Sequence, residues 1–174
     1  VDFLSTWSAV FAVGAALRYR NKTGKGQWVD ISMYQAGAMF LSEYLMDSIV
    51  NNREGTRIGN RHPYYSPQGC YPTIGKDQWL VISVTDETEW SNLCKTMGQP
   101  ELETHQDFSN VLERKKNHDN LDQIISTWTA SHDRYDLMHL LQSAGIAAAP
   151  VLDGKDVHFD PHYKERNFLE RVEF

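Results

Sequence analysis

Between Phe3 and Leu17 the chain is apolar at almost every position, and polarity returns only at Arg18, Tyr19 and Arg20. A pattern apolar on all sides predicts a buried helix, here over residues 3–20. The next segment, NKTGKG at 21–26, carries two glycines and reads as a turn. QWVDISM, Gln27–Met33, is rich in strand formers and predicts a strand. A second helix is expected from Tyr34 to about Val50, with Met39, Phe40, Leu45, Met46 and Ile49 on a broad apolar face.

From Asn51 to Pro72 neither period survives. Gly55, Gly59, Pro63, Pro67, Gly69 and Pro72 punctuate the stretch, and Arg53, Arg57 and Arg61 are interspersed. So long an irregular segment reads as a binding loop or a linker. The pattern then becomes regular again. Residues 69–74 and 78–84 suggest a hairpin across Gly75–Asp77. Asp86, followed three positions later by Glu89, has capping-box form and opens a helix carrying Trp90, Leu93, Cys94 and Met97, closed by Gly98. Helices are predicted at 107–130 and 134–144, a returning strand at 146–152, a helix opened by Asp160-Pro161, and a final strand over 168–174.

The 174 residues are 41% hydrophobic and 23% charged, with a net charge of -6, an ordinary globular balance. The acidic balance and the lack of a concentrated basic face argue against a nucleic-acid partner. The mean hydropathy of -0.52 argues against an integral membrane protein. The apolar opening lacks a basic leader and is shorter than the roughly 20 residues a bilayer span needs. Cys70 and Cys94 stand apart, with no CxxC pair, which suits a reducing cytoplasm, although one disulfide between them is left open.

Familiar catalytic motifs are absent. TGKG at 23–26 lacks the rest of a phosphate loop and is better read as a turn. His158 and His162 are separated by Asp160-Pro161, which breaks a shared helical face, so no metal site is expected. Asp2, just before the apolar helix, reads as an N-cap or a charge favoured by the helix dipole. A carboxylate there can also serve as a nucleophile in acyl transfer. The 59–72 segment, with Tyr64, Tyr65 and Tyr71, is either a pocket wall or a linker, and Trp79 and Trp90 are expected to anchor a core.

Three stretches in order resemble the class III coenzyme A transferases, the CaiB/BaiF type. They are AALRYRNKTGKGQWVDISM at 15–33, GNRHP at 59–63 with PQGCYP at 67–72, and AGIAAAPV at 144–151 with Asp160-Pro161. The resemblance implies an α/β (α+β) fold: the end of a large domain followed by a small α+β domain. It divides the chain into 1–55 (large domain), 56–75 (linker and active-site loop), 76–152 (small domain) and 153–174 (return segment). It places the catalytic aspartate at Asp2, a CoA-contacting methionine at Met33, and the loop covering the active site near Gln68 and Gly69, without that loop's usual run of glycines. Gln68 and the Gly69 amide are the candidate donors to a reacting carbonyl.

The implied substrates are an acyl-CoA thioester and a carboxylic acid, with no further cofactor and no metal, and the implied assembly is a homodimer. An acyl-CoA racemase of the same family and a non-catalytic remnant domain are the alternatives. The family's nucleotide-binding half has no counterpart before Asp2, so this chain by itself is expected to turn over weakly or not at all.

Overall fold

The computed structural model describes residues 1–172. The chain divides into two compact units, Val1–Arg57 and a second that begins at Ile58.

The first unit is helical. α1 spans Asp2–Thr23 and ends at Gly24, whose φ of 73° is the left-handed cap that lets its N–H reach the Arg20 carbonyl. Thus the first glycine of the TGKG turn is a helix stop. Val1, not Asp2, is the N-cap, and no side chain caps the helix. Asp2 occupies the first helical turn, where the dipole favours its charge.

The strand expected at Gln27–Met33 does not form. With no strand beside it to accept its ladder bonds, the segment runs irregularly to Ser32. The Ser32 hydroxyl accepts the Gln35 N–H and so caps α2, Met33–Met39. The single helix expected over 34–50 is interrupted at Phe40 and Leu41, and α3 resumes at Ser42–Asn51. The expected burial of α1 is also not met, since Phe3, Trp7 and Phe11 are 83%, 72% and 80% exposed. Only Ser5 and Ala36 are buried among the described residues of this unit, because one long helix and two short ones give the apolar side chains too little to pack against.

The second unit holds a three-stranded antiparallel sheet in the order β1 (Gln68–Pro72), β2 (Trp79–Ser83), β3 (Ala147–Pro150). Gln68 pairs with Ser83 and Pro72 with Trp79, while Leu80 pairs with Pro150 and Ser83 with Ala147. Along β2, Leu80 and Ile82 are fully buried while Trp79 and Val81 are partly exposed, the alternation of a half-buried strand. Of the two tryptophans expected in a core, therefore, Trp90 is there and Trp79 is 37% exposed.

α4, Glu87–Thr96, is capped by Asp86, whose side chain accepts the Glu89 N–H. The reciprocal bond of the expected box is shifted by one, because the Glu89 carboxylate accepts from the Thr85 N–H instead. A short 3-10 turn covers Pro100–Glu103. The long helix expected over 107–130 is two helices, α5 (Val111–Lys116) and α6 (His118–Thr129), because Asn110 caps a first start and the chain bends at Asn117. α7 is Arg134–Ser143.

α6 packs on β1, and α7 on β2 and β3. They enclose a core that includes Tyr71, Leu80, Ile82, Trp90, Leu121 and Leu141. Beyond β3, α8 (Gly154–Phe159) was not apparent from the apolar pattern but has a full capping box between Asp153 and Asp156. α9 (Pro161–Glu165) begins after Asp160 as expected. No strand forms over 168–172, and the rest of that expected strand lies outside the described residues. Among the described residues no helix is long and apolar enough to cross a membrane.

Candidate functional site

Within the second unit, the irregular segment before β1 is fastened to α5 and α6 at three places. Arg61 donates from Nε and Nη2 to Asp122 Oδ2 at 3.2 and 2.7 Å, and from Nη2 to Asp119. The Lys115 ammonium donates to the Pro63 carbonyl. Arg114 Nε donates to the Ser66 carbonyl at 2.8 Å. Asp119 and Asp122 sit three apart on α6, hence on one face of it. Lys115 and Arg114 come from the end of α5.

Arg114 is the deepest of these groups, with a side chain 1% exposed. Its guanidinium forks onto both Glu87 carboxylate oxygens at 2.9 and 2.7 Å, donates to the Phe108 carbonyl at 3.1 Å, and lies 4.9 Å over the Trp90 ring. Such a fork satisfies the buried charge with a carboxylate, two carbonyls and an aromatic face.

Held in this way, the segment forms one wall of a cavity of about 220 Å³. Ile58, Gly59, Asn60 and Arg61 line that wall, Gln68 to Tyr71 of β1 line another, and Asp122 and Ser126 of α6 complete it. The GNRHP and PQGCYP stretches are thus brought together on α6. Of the three tyrosines considered for a pocket wall, Tyr71 takes part. Tyr65 instead stacks on His62 with ring centroids 4.4 Å apart, and Tyr64 is 70% exposed.

Two of the sequence-predicted residues are in this cavity. Gln68 Oε1 accepts from the Ser83 hydroxyl at 3.0 Å, and its amide nitrogen has no protein partner among the described hydrogen bonds. Gly69 is opposite Ile82. The neighbouring ladder bonds, Thr73 N–H to Gln78 and Val84 N–H to Pro67, fix the alternation of the antiparallel pair. By that alternation the Gly69 N–H is committed to Ile82, which leaves Gln68 Nε2 as the free donor of the two. Gly69 has a structural reason of its own. A Cβ there would come within 2.8 Å of Tyr71 Cζ and Oη, because the Tyr71 ring folds back over it.

That ring carries the Tyr71 hydroxyl to Asp122 Oδ1, to which it donates at 2.9 Å. Burial, reinforced by the Asp122 charge, pushes the Tyr71 phenol up and keeps it protonated. His118 Nε2 is 3.5 Å from the same Asp122 oxygen, in a side chain 5% exposed. Burial outweighs the nearby carboxylate and holds the His118 imidazole below its ordinary value. Arg61 draws the Asp119 carboxyl below its usual range, and is itself raised by Asp119 and then Asp122.

Cys70, half-buried on the cavity wall, and Cys94, in the core, are both free thiols. Burial pushes Cys94 up to about 12 and raises Cys70 as well. The Arg61–Asp122–Tyr71–His118 cluster was not legible in the sequence. Its nearest local sign is the pair Asp119 and Asp122, whose basic partner is about sixty positions away.

Asp2 and Met33 belong to the first unit. Both are exposed and stand in the first turns of α1 and α2. These helices pack on each other, and Gly37 of α2 lies so close to Val1 that a Cβ would meet its side chain at 3.4 Å. The N–H groups of α1's first turn have no acceptor within the helix, as at any helix start.

A larger groove, of about 910 Å³, lies among α7, β3, α8 and α9; it contains none of the four predicted site residues, though Ala149, Pro150, Asp160 and Pro161 of the third resembling stretch line it. Gln68 and Gly69 line the smaller cavity instead, and Asp2 and Met33 lie in the first unit. Among the described residues no group of three or more His, Cys, Asp or Glu side chains is placed to hold a metal ion.

The second unit combines helices with a small three-stranded antiparallel sheet. The family model for CoA-transferase family III matches residues 1–173, and the chain belongs to that family. It is 29% identical to succinyl-CoA–D-citramalate CoA-transferase of Chloroflexus aurantiacus over 97% of this chain and 42% of that protein. It is 32% identical to succinyl-CoA:mesaconate CoA-transferase of Haloarcula hispanica over 93% of this chain and 40% of that one. A CAIB/BAIF family protein from Brucella suis superposes with a TM-score of 0.83 at 27% identity, covering 95% of this chain and 44% of that one. The chain therefore spans about two fifths of the length of the curated relatives it matches.

Proposed function

We propose that this chain is the aspartate-bearing part of a class III CoA-transferase that exchanges CoA between an acyl-CoA thioester and a carboxylic acid. The observation that carries the reading is the match to the transferase family across residues 1–173, with Asp2 in the first turn of α1. Asp2 attacks the thioester carbonyl; a C–O bond forms, the C–S bond breaks, and the CoA thiolate leaves a mixed anhydride behind. The thiolate attacks the aspartyl carbonyl, giving an aspartyl thioester and releasing the first acid. The incoming carboxylate displaces CoA from that thioester to form a second anhydride. Attack of the thiolate on its acyl carbonyl then yields the new CoA ester and returns Asp2.

Charge develops on carbonyl oxygen at each step, and the unpaired N–H groups at the start of α1 are suited to stabilise it. Met33 and the Gln68–Gly69 wall contribute to holding the CoA ester. Each step is nucleophilic displacement, so the chemistry calls on no redox cofactor and no metal.

The acids in the names of the two relatives are dicarboxylic, which favours a short dicarboxylate as substrate. Both names denote CoA transfer, which favours it over racemisation. The exposed Phe3, Trp7 and Phe11 support assembly as a homodimer, and the free cysteines suit the cytoplasm. The test incubates the protein with succinyl-CoA and mesaconate in deuterated buffer and follows the CoA esters by mass spectrometry. Mesaconyl-CoA formation, slow for a chain that spans two fifths of its relatives' length and abolished by Asp2→Ala, is the expected result. Deuterium entry at the acyl α-carbon without CoA transfer would instead identify a racemase.

A further inference from the structure

Asp122 joins the two walls of the 220 Å³ cavity. One carboxylate oxygen takes Arg61, which carries the Gly59–Arg61 wall. The other takes the Tyr71 hydroxyl, which carries the β1 wall. Nothing else among the described contacts links both walls to one side chain. The residue is 28% exposed, so its bonds are partly shielded from water, and both are charge-assisted. Neighbouring clamps fix other points of the same segment, Lys115 at Pro63 and Arg114 at Ser66, but neither reaches the cavity.

We infer that Asp122 is a positioning residue that sets the separation of these two walls and with it the placement of the free Gln68 amide. The inference rests on the proposed reading of the Gln68–Gly69 wall as part of the acyl-CoA site. Arg61 is the second half of the clasp. Arg61 also reaches Asp119, but that carboxylate is 92% exposed and the bond adds little, so loss of either Asp122 or Arg61 opens the cavity to a similar extent.

The cavity has its own reporter. Cys70 lines it, and Cys94, buried in the core, reports global opening. The experiment measures N-ethylmaleimide labelling of both thiols, by peptide mass spectrometry, in the intact protein. Asp122→Asn and Arg61→Met should each speed Cys70 labelling about tenfold, the loss of one charge-assisted link, with Cys94 still protected. The double variant should be no faster than either single one, and Arg61→Lys, which keeps the charge, should restore most of the protection.

If Asp122→Asn also exposes Cys94, Arg61→Met decides by the same criterion, since its loss leaves two carboxylates that both reach water, Asp122 in part and Asp119 almost fully. Unchanged Cys70 labelling in the folded variants, or effects that multiply in the double variant, would overturn the clasp. Succinyl-CoA should protect Cys70 in the wild-type protein. Absence of that protection would overturn the cavity's part in the acyl-CoA site, and the labelling of the variants would still judge the clasp separately.

Discussion

Replacing Gly69 with alanine tests whether the glycine is there for Tyr71. The added Cβ would lie 2.8 Å from Tyr71 Cζ and Oη, and Tyr71 is 1% exposed, so relief requires the ring to leave its core packing and shift toward the cavity that it lines. Overpacking of a filled core costs about 1–3 kcal/mol. Displacing the ring also breaks its hydrogen bond to the Asp122 carboxylate, worth about 1.5–3 kcal/mol. The alanine recovers about 0.5–1 kcal/mol because glycine loses more chain entropy on folding. The net expectation is a loss of about 3 kcal/mol. With a urea slope of about 2 kcal/mol per molar, the unfolding midpoint of the second unit falls by about 1.5 M. Tyr71→Leu removes the ring, so Gly69→Ala should cost much less in that background, a coupling readable from a double-mutant cycle in urea. A Gly69→Ala variant within about 0.5 kcal/mol of wild type, or two additive substitutions, would refute the packing argument.

Arg114→Met leaves the Ser66 and Phe108 carbonyls without their donor and should cost about 3 kcal/mol in urea unfolding, less than a fully buried pair because Glu87 is 60% exposed. His118 is near Asp122 and Asp119 on α6, Lys115 of α5 and Arg61, and shares the Asp122 oxygen with the Tyr71 hydroxyl; burial holds it low. The unfolded chain therefore binds a proton that the folded one refuses, so stability should fall as pH drops below about 6.5, and His118→Gln should flatten that slope in thermal melts. Asp119, held low by Arg61, adds a loss only below the ordinary carboxylate range. Gly24→Ala forces a side chain into a φ of 73° and should fray the end of α1 by about 1 kcal/mol, seen as faster amide exchange there.

What the sequence carried well were features fixed locally. Asp86, Gly98, Gly145 and Asp160 mark helix ends by their own backbone or side-chain bonds, and each does so in the structure. The hairpin expected across Gly75–Asp77 forms as β1 and β2, although Trp79 to Ile82 are all apolar and only the sheet decides which of them meet water. The failures are places where a neighbour decides. QWVDISM has the composition of a strand, yet a strand needs a partner, and Ser32 instead starts a helix. The apolar run of α1 implies burial, but burial depends on what surrounds the helix rather than on its own residues. In the site, Gln68 and Gly69 were singled out by resemblance, and the structure adds a packing reason for the glycine. Arg61, Asp122 and His118 were missed as a group, because their meeting depends on how the 58–67 segment is fastened to α6.

The central claim is that Asp2 carries the acyl and CoA groups in turn. The most direct measurement adds hydroxylamine to the protein during turnover of succinyl-CoA with mesaconate, then maps the modified carboxyl by peptide mass spectrometry. Hydroxylamine converts an aspartyl anhydride or thioester to a stable hydroxamate. A hydroxamate on Asp2 that requires succinyl-CoA is the predicted result. Turnover with Asp2 unmodified, or with the hydroxamate on another carboxyl, would contradict the account.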